Sequence, residues 1–229
     1  MKPKPRGINL HKLEVQALLN GATQLRLPIK PQPPDAKSGQ WGWIASSTDK
    51  KEVDTFRFSW IDDIGSTFTK RGRESYVAYK PPVHPGQIWF GRERFKNTID
   101  DKSFVVVQYS DESIRCQLND HGGEGDPIGT REHKNPMSLV GKRKGCKWKA
   151  ANQMPQWASR IVRKCVSVRV ERLHDVSKSN NRDIEASGFD PECGIPPLKW
   201  FGDNWEAIHG PESWQQNPWL WVIESEVVQ

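Results

Sequence analysis

The sequence predicts an α+β domain whose curved sheet, assembled from distant parts of the chain, closes into a β-barrel flanked by short helices and carrying two insertions. Three observations predict it. Alternating apolar segments recur in the first quarter, the middle and the extreme C-terminus; helical spacing is confined to short stretches; and no internal repeat is visible. With 229 residues the chain can bury one sizeable core, and a single domain over 1–229 is the simplest organisation.

Leu10, Leu13 and Ala17 share a helical spacing over residues 10–19, and Asn20-Gly21 is a stop signal. Residues 23–30 alternate Leu25, Leu27 and Ile29 with Gln24, Arg26, Pro28 and Lys30, which reads as an edge strand with a basic polar side. Residues 31–80 open on Pro-Gln-Pro-Pro-Asp yet hold Trp41, Trp43, Phe56, Phe58 and Trp60, so an ordered insertion with hairpin character is expected. The turn His84-Pro85-Gly86 opens a strand over 87–94, and 104–109 is rich in β-branched residues and reads as another. Residues 121–149 show little periodicity, many glycines and a run of Lys and Arg, the pattern of a mobile loop. A long strand is expected over 159–173, loops and short helices over 174–210, and a terminal strand over 219–228 that can close the barrel.

Composition narrows the function. Lys plus Arg exceed Asp plus Glu by 34 to 28, a formal charge of +6, which favours a polyanionic partner. Eleven tryptophans exceed what one core needs, so some should line a cleft or pin loops, although packing takes most of them. Cys116, Cys146, Cys165 and Cys193 form no CxxC pair, and the six histidines show no ligand spacing; no metal and no cofactor is expected. Without an apolar run of about 18 residues or a signal-peptide core, the expected location is the cytoplasm, with no membrane partner.

The segment Val15–Arg26, running on to Lys30-Pro31-Gln32-Pro33, resembles the opening of ASCH proteins carried by bacteriophages and prophages, which read helix, Gly-x-Lys-Thr-x-Thr-x-Arg, Lys-Pro-Gln-Pro. Two blocks extend the resemblance: Pro85-Gly86 with Trp89 and Arg92-Glu93, and Trp148 followed by residues 154–161. Val168–Leu173 and Asn217–Ile223 fit the phage subgroup, while insertions at about 36–80 and 97–147 lie outside it. The resemblance implies a PUA-like barrel with a cleft where the first helix meets the first strand, and a location in the host cytoplasm. Some bacterial members hydrolyse N4-acetylcytidine with a lysine, a threonine and a later glutamate. Amide hydrolysis needs an attacking oxygen, a base and a cation for the oxyanion. Here Ala22 occupies the lysine position, Thr23 matches the first threonine, and Leu25 falls at the second. Glu185 stands for the late glutamate, with Ser187 closer to the register, and Lys30 or Arg26 would have to supply the cation. The catalytic pair the resemblance offers is therefore Thr23 and Glu185.

As binding residues the sequence offers Gln24, Arg26 and Lys30 on the first strand, Trp89, Arg92 and Glu93 on the next, and Trp148, Asn152, Gln153, Trp157 and Arg160 before the long strand. Trp157 and Arg160 would stack on a base and touch phosphate, with Asn152 and Gln153 reading a base edge; alternatively Trp157 plugs the core. Neighbours Arg92 and Glu93 point to opposite sides of a strand. Lys142, Arg143 and Lys144, with Lys147 and Lys149, form either a solvated loop or a polyanion contact. The expected function is binding of RNA, single-stranded DNA or a modified nucleotide. An amidohydrolase acting on an acylated pyrimidine nucleoside, or a phage protein that binds a host protein, are the alternatives.

Overall fold

The computed structural model describes residues 4–34, 39–44, 54–62, 73–99, 104–118, 147–179 and 181–228. The strands are β1 (Arg6–Asn9), β2 (Gln24–Pro28), β3 (Gln40–Ile44), β4 (Thr55–Asp62), β5 (Arg73–Tyr79), β6 (Ile88–Arg92), β7 (Phe95–Ile99), β8 (Phe104–Tyr109), β9 (Ile114–Leu118), β10 (Val162–Arg172) and β11 (Trp219–Val227). Among the described residues three α-helices join them: α1 (Lys12–Leu19), α2 (Arg182–Ala186) and α3 (Pro197–His209). No helix among the described residues is long and apolar enough to cross a membrane.

The largest sheet has the order β1-β6-β10-β11-β2, and two smaller sheets run β3-β4-β5 and β7-β8-β9. The strands expected over 23–30, 87–94, 159–173 and 219–228 share the large sheet as β2, β6, β10 and β11, that over 104–109 is β8 of a smaller sheet, and the class is α+β. The barrel is corrected: among the described residues these sheets are not closed. The large sheet runs from β1 at one edge to β2 at the other without pairing between those two, so it is not closed by β11. β11 is an interior strand, antiparallel to β10 on one side and to β2 on the other, so both of its edges are used. β2 is then an edge, where Pro28, which has no N–H to give a further strand, is tolerated.

The chain divides into two compact units, one of Met1–Arg6, Ala17–Trp89 and Arg163–Gln229, the other of Gly7–Gln16 and Phe90–Val162. In the first, Phe201 and Trp205, one helical turn apart on α3, pack with Leu173, Val176, Ile184 and Leu220. Its small sheet is held by aromatic rings. Alternation along β3 and β4 places Trp41 and Phe58 on one face, and the Trp41 ring lies 5.1 Å from Phe58, 5.4 Å from Tyr79 and 5.6 Å from Trp219. Tilted and edge-to-face pairs like these add about 0.5–1.5 kcal/mol each beyond area burial. Several tryptophans are thus explained by packing.

In the second unit Phe95, Val107, Tyr109, Met154 and Ala158 form the core. Tyr109 Oη donates to the Ala158 carbonyl at 3.0 Å, and Phe95 and Lys149 exchange backbone hydrogen bonds. These contacts fix two short 3-10 turns, Ala151–Gln153 and Gln156–Ala158, against β7 and β8.

Candidate functional site

The register of the large sheet gathers a polar cluster in the first unit. Gln24 lies opposite Glu224 and Glu224 opposite Ser167; Arg26 lies opposite Val222 and Val222 opposite Arg169; Leu220 faces Glu171. Since strand side chains alternate, Gln24, Arg26, Glu224, Ser167, Arg169 and Glu171 share one face, and α2 brings Asp183 to it. Arg26 donates from Nη1 to Glu171 at 3.1 Å and from Nη2 to Gln24 at 3.1 Å, with Asp183 Oδ2 3.3 Å away. Arg169 donates to Asp183 at 3.0 Å and also to Glu171 and Glu224. Gln24 Nε2 donates to Asp183 at 2.8 Å and to Glu224 at 3.3 Å, and Ser167 Oγ donates to Glu224 at 2.8 Å.

Two guanidiniums thus serve three carboxylates. Burial pulls Asp183 upward, but the Gln24 hydrogen bond and the charges of Arg26 and Arg169 outweigh it and hold the carboxyl below the usual carboxylate range. The Ser167 hydroxyl does most to lower Glu224, with Arg169 adding to it against partial burial. Burial lowers Arg26, opposed by Glu171 and Asp183. A general acid needs a raised carboxyl pKa, and these two carboxyls are pushed the other way. The cluster is built to hold β2, β10, β11 and α2 together. Its one buried polar atom without a partner is Arg26 Nε.

The pair implied by the ASCH resemblance stands beside this cluster. The Thr23 N–H donates to the Ala186 carbonyl at 2.8 Å and the Thr23 carbonyl accepts from Ser225 N, but the Thr23 side chain is exposed. Glu185 is exposed too, and among the described residues neither side chain has a hydrogen-bond partner. Ala22 is buried, and a Cβ at Gly188 would come 3.3 Å from its methyl. Ser187 Oγ donates to the Asp183 carbonyl at 2.7 Å, so that hydroxyl caps α2. Lys30 is exposed. Burial pushes the Cys165 thiol up to about 11, which leaves it no thiolate at neutral pH. Among the described residues no group of three His, Cys, Asp or Glu side chains could hold a metal ion.

Other expected binding residues are committed to packing. Trp89, in the first unit, is fully buried and cannot stack on a base. In the second unit Arg160 grips both oxygens of buried Glu93 at 2.8 Å, reaches Asp111 at 2.9 Å and Ser113 at 2.7 Å, and lies 4.3 Å over the Tyr109 ring. Desolvation opposes the charge on Arg160, but its bonds to Glu93 and Asp111 prevail and raise its pKa. Its donors are used internally, so Arg160 and Glu93 are structural partners and not a poised phosphate site. Lys142, Arg143 and Lys144 lie outside the described residues.

What remains open in the second unit is a basic and aromatic surface. Trp148 is 39 % exposed, with Lys96 Nζ 4.4 Å and the Arg94 guanidinium 5.8 Å from its ring centroid. Lys147 and Lys149 are exposed on either side. Trp157, weighed as a core plug, is instead 45 % exposed, and Asn152, Gln153 and Gln156 are exposed beside it in sequence. Buried Met154 and Ala158 anchor these turns, so the polar and aromatic residues project from a fixed base.

Sequence reasoning missed Asp183, Glu171 and Glu224 in the cluster, and Arg94 and Lys96 on the surface. The strand alternation Ser167, Arg169, Glu171 was the available signal for the first group. For the second it was the alternation of cations with buried residues through 91–96. No family model, no curated protein and no solved structure matches this chain.

Proposed function

We propose that this chain is a nucleic-acid-binding module whose contact surface lies on its second unit, around Trp148. The observation that carries the reading is the exposed Trp148 ring with Lys96 and Arg94 upon it and Lys147 and Lys149 beside it. Cations next to an exposed aromatic are what a polyanion with stackable bases requires: lysines and arginines hold phosphates, and the ring takes a base whatever its identity. The net charge of +6 acts in the same direction.

The amidohydrolase alternative draws no support from the residues that would perform it. Ala22 provides neither cation nor base, and Arg26 is occupied by Glu171, Gln24 and Asp183. A host-protein partner would be the reading left if nucleic acid fails to bind.

The test is a fluorescence-anisotropy titration of labelled RNA and DNA oligonucleotides at two salt concentrations, with the parent chain and Trp148→Ala. Loss of one stacked base costs about 1–3 kcal/mol, or roughly 5- to 150-fold in affinity. Affinity should also fall steeply with salt. No binding at low salt, or unchanged binding by a folded Trp148→Ala variant, would defeat the proposal.

A further inference from the structure

Residues 91–96 run from the end of β6 through Glu93 and Arg94, which belong to neither strand, into β7, and buried and outward residues alternate along them. Gly91, Glu93 and Phe95 are buried, while Arg92, Arg94 and Lys96 stand on the other side. The side chains of Arg94 and Lys96 converge on the Trp148 ring, so two of the three cations flank one exposed aromatic. None of the three cations is paired with a carboxylate among the described residues. Glu93, which lies between Arg92 and Arg94 in sequence, and Asp111 are held by Arg160.

Arg92 is also fixed in place. Its guanidinium carbon lies 5.2 Å from the Phe90 ring centroid. On β1, a Cβ at Gly7 would come 2.0 Å from Arg92 Nε and 2.3 Å from Cζ, so the side chain occupies the space that only glycine leaves free. Arg92 Nε is buried there without a partner. A long cationic side chain held this way has lost its freedom before any ligand arrives, which lowers the entropy cost of binding.

We infer that Arg92, Arg94 and Lys96 form a phosphate rail for single-stranded nucleic acid, with Arg92 preset by Gly7 and the base at the Arg94–Lys96 end stacked on Trp148. The inference rests on the proposed nucleic-acid function and narrows it to one ligand class and one path along the chain. A duplex suits the surface less well, because its bases are already stacked on one another and offer Trp148 no face.

Gly7→Ala is the discriminating variant, since it removes no charge. The new methyl must push the guanidinium out, and because a flexible side chain gives way, the strand itself can stay in place. With a labelled oligothymidylate of about 12 nucleotides, Gly7→Ala should weaken binding roughly three- to tenfold. Arg92→Gln should weaken it at least as much and lower the salt slope by about 0.7, the value of one single-strand phosphate contact. Lys199→Gln, which removes an exposed lysine of α3 in the first unit, should change neither. The oligothymidylate should bind more tightly than a duplex of equal length.

If the parent chain binds no oligonucleotide, the proposed function falls and the rail with it. If the parent binds but Arg92→Gln acts no more strongly than Lys199→Gln, the rail is wrong and the Trp148 reading stands. Equal or tighter binding of the duplex likewise overturns the rail. Should Gly7→Ala lose its folded circular-dichroism spectrum, Arg92→Gln decides the matter alone.

Discussion

Replacing Arg26 with methionine removes the charge at the centre of the polar cluster while keeping a long side chain. The Arg26 side chain is 4 % exposed and touches Glu171, Gln24 and Asp183. Without it, Arg169 alone faces three carboxylates, of which Glu171 and Asp183 are largely shielded from water. Breaking a buried pair by removing one partner costs about 3–5 kcal/mol. Methionine recovers part of this, because it packs on Phe201, which Arg26 now approaches to 5.7 Å, and because it eliminates the unpartnered Nε. The expected loss is about 2–4 kcal/mol, or roughly 4–16 °C in midpoint for a chain of this length. The pH dependence has a definite sign. Asp183 is held below its ordinary value, so its stabilising contribution is present above the unfolded pKa and is lost as pH falls through the folded one. Arg26 is one cause of that lowering, so the penalty for Arg26→Met should be largest near neutrality and shrink below about pH 4. Adding Asp183→Asn should recover part of the loss, since it removes one of the stranded charges. Thermal unfolding followed by circular dichroism measures all of this. A penalty under about 1 kcal/mol, or one independent of pH, would refute the claim that the cluster is a structural clasp.

Three further outcomes are expected. Burial raises the Glu14 carboxyl to about 7 although it accepts the His11 N–H, so stability should decline as pH rises from about 4.5 through 7 by up to about 3 kcal/mol; Glu14→Gln should abolish that part of the decline in thermal melts. Arg160→Ala should cost about 3 kcal/mol in denaturant unfolding by stranding buried Glu93, yet leave base preference unchanged; altered preference without lost stability would contradict the pairing. N4-acetylcytidine incubated with the protein should release no cytidine above background, and turnover that Thr23→Ala or Glu185→Ala abolishes would restore the hydrolase reading.

The four strands of the large sheet that were legible are β10 and β11, with alternation and β-branched residues, β2, with alternation alone, and β6, announced by the turn before it; each is found within a few residues of its expected bounds. β1 was not, because Arg-Gly-Ile-Asn is too short to show a period. α3 was seen only as part of a region of loops and short helices: it opens on proline and contains Gly202, and its buried Phe201 and Trp205 are identifiable as one face only once the core is known. Closure into a barrel depended on whether the two end strands, β1 and β2, pair with each other, and alternation specifies faces but not neighbours. The same limit governs the candidate site. Gln24 and Arg26 were found from their strand, but their partners lie far away, 145 positions for Glu171 and 200 for Glu224, and only register joins them. That register turned an apparent binding face into an interior one.

Charge pairing then distinguishes the cations that hold the protein from those available to a ligand. Arg26 and Arg169 are engaged by Glu171, Asp183 and Glu224, and Arg160 by Glu93 and Asp111. An anion seeking any of these must first compete with a carboxylate of the chain itself, at a cost comparable to breaking a buried pair, about 3–5 kcal/mol. Arg92, Arg94 and Lys96 have no such partner among the described residues, and Glu93, which lies between the first two in sequence, is turned inward to Arg160. The inward carboxylate therefore serves two ends: it neutralises a buried arginine, and its removal from the outer side leaves three like charges in a row beside an exposed ring. Like charges gathered together cost stability in the free protein, and a polyanion of the proposed kind laid along them would relieve that repulsion. This is why the proposed binding surface is drawn at the cations around Trp148, which have no carboxylate partner among the described residues, and not at the more densely bonded cluster on β2, β10 and β11.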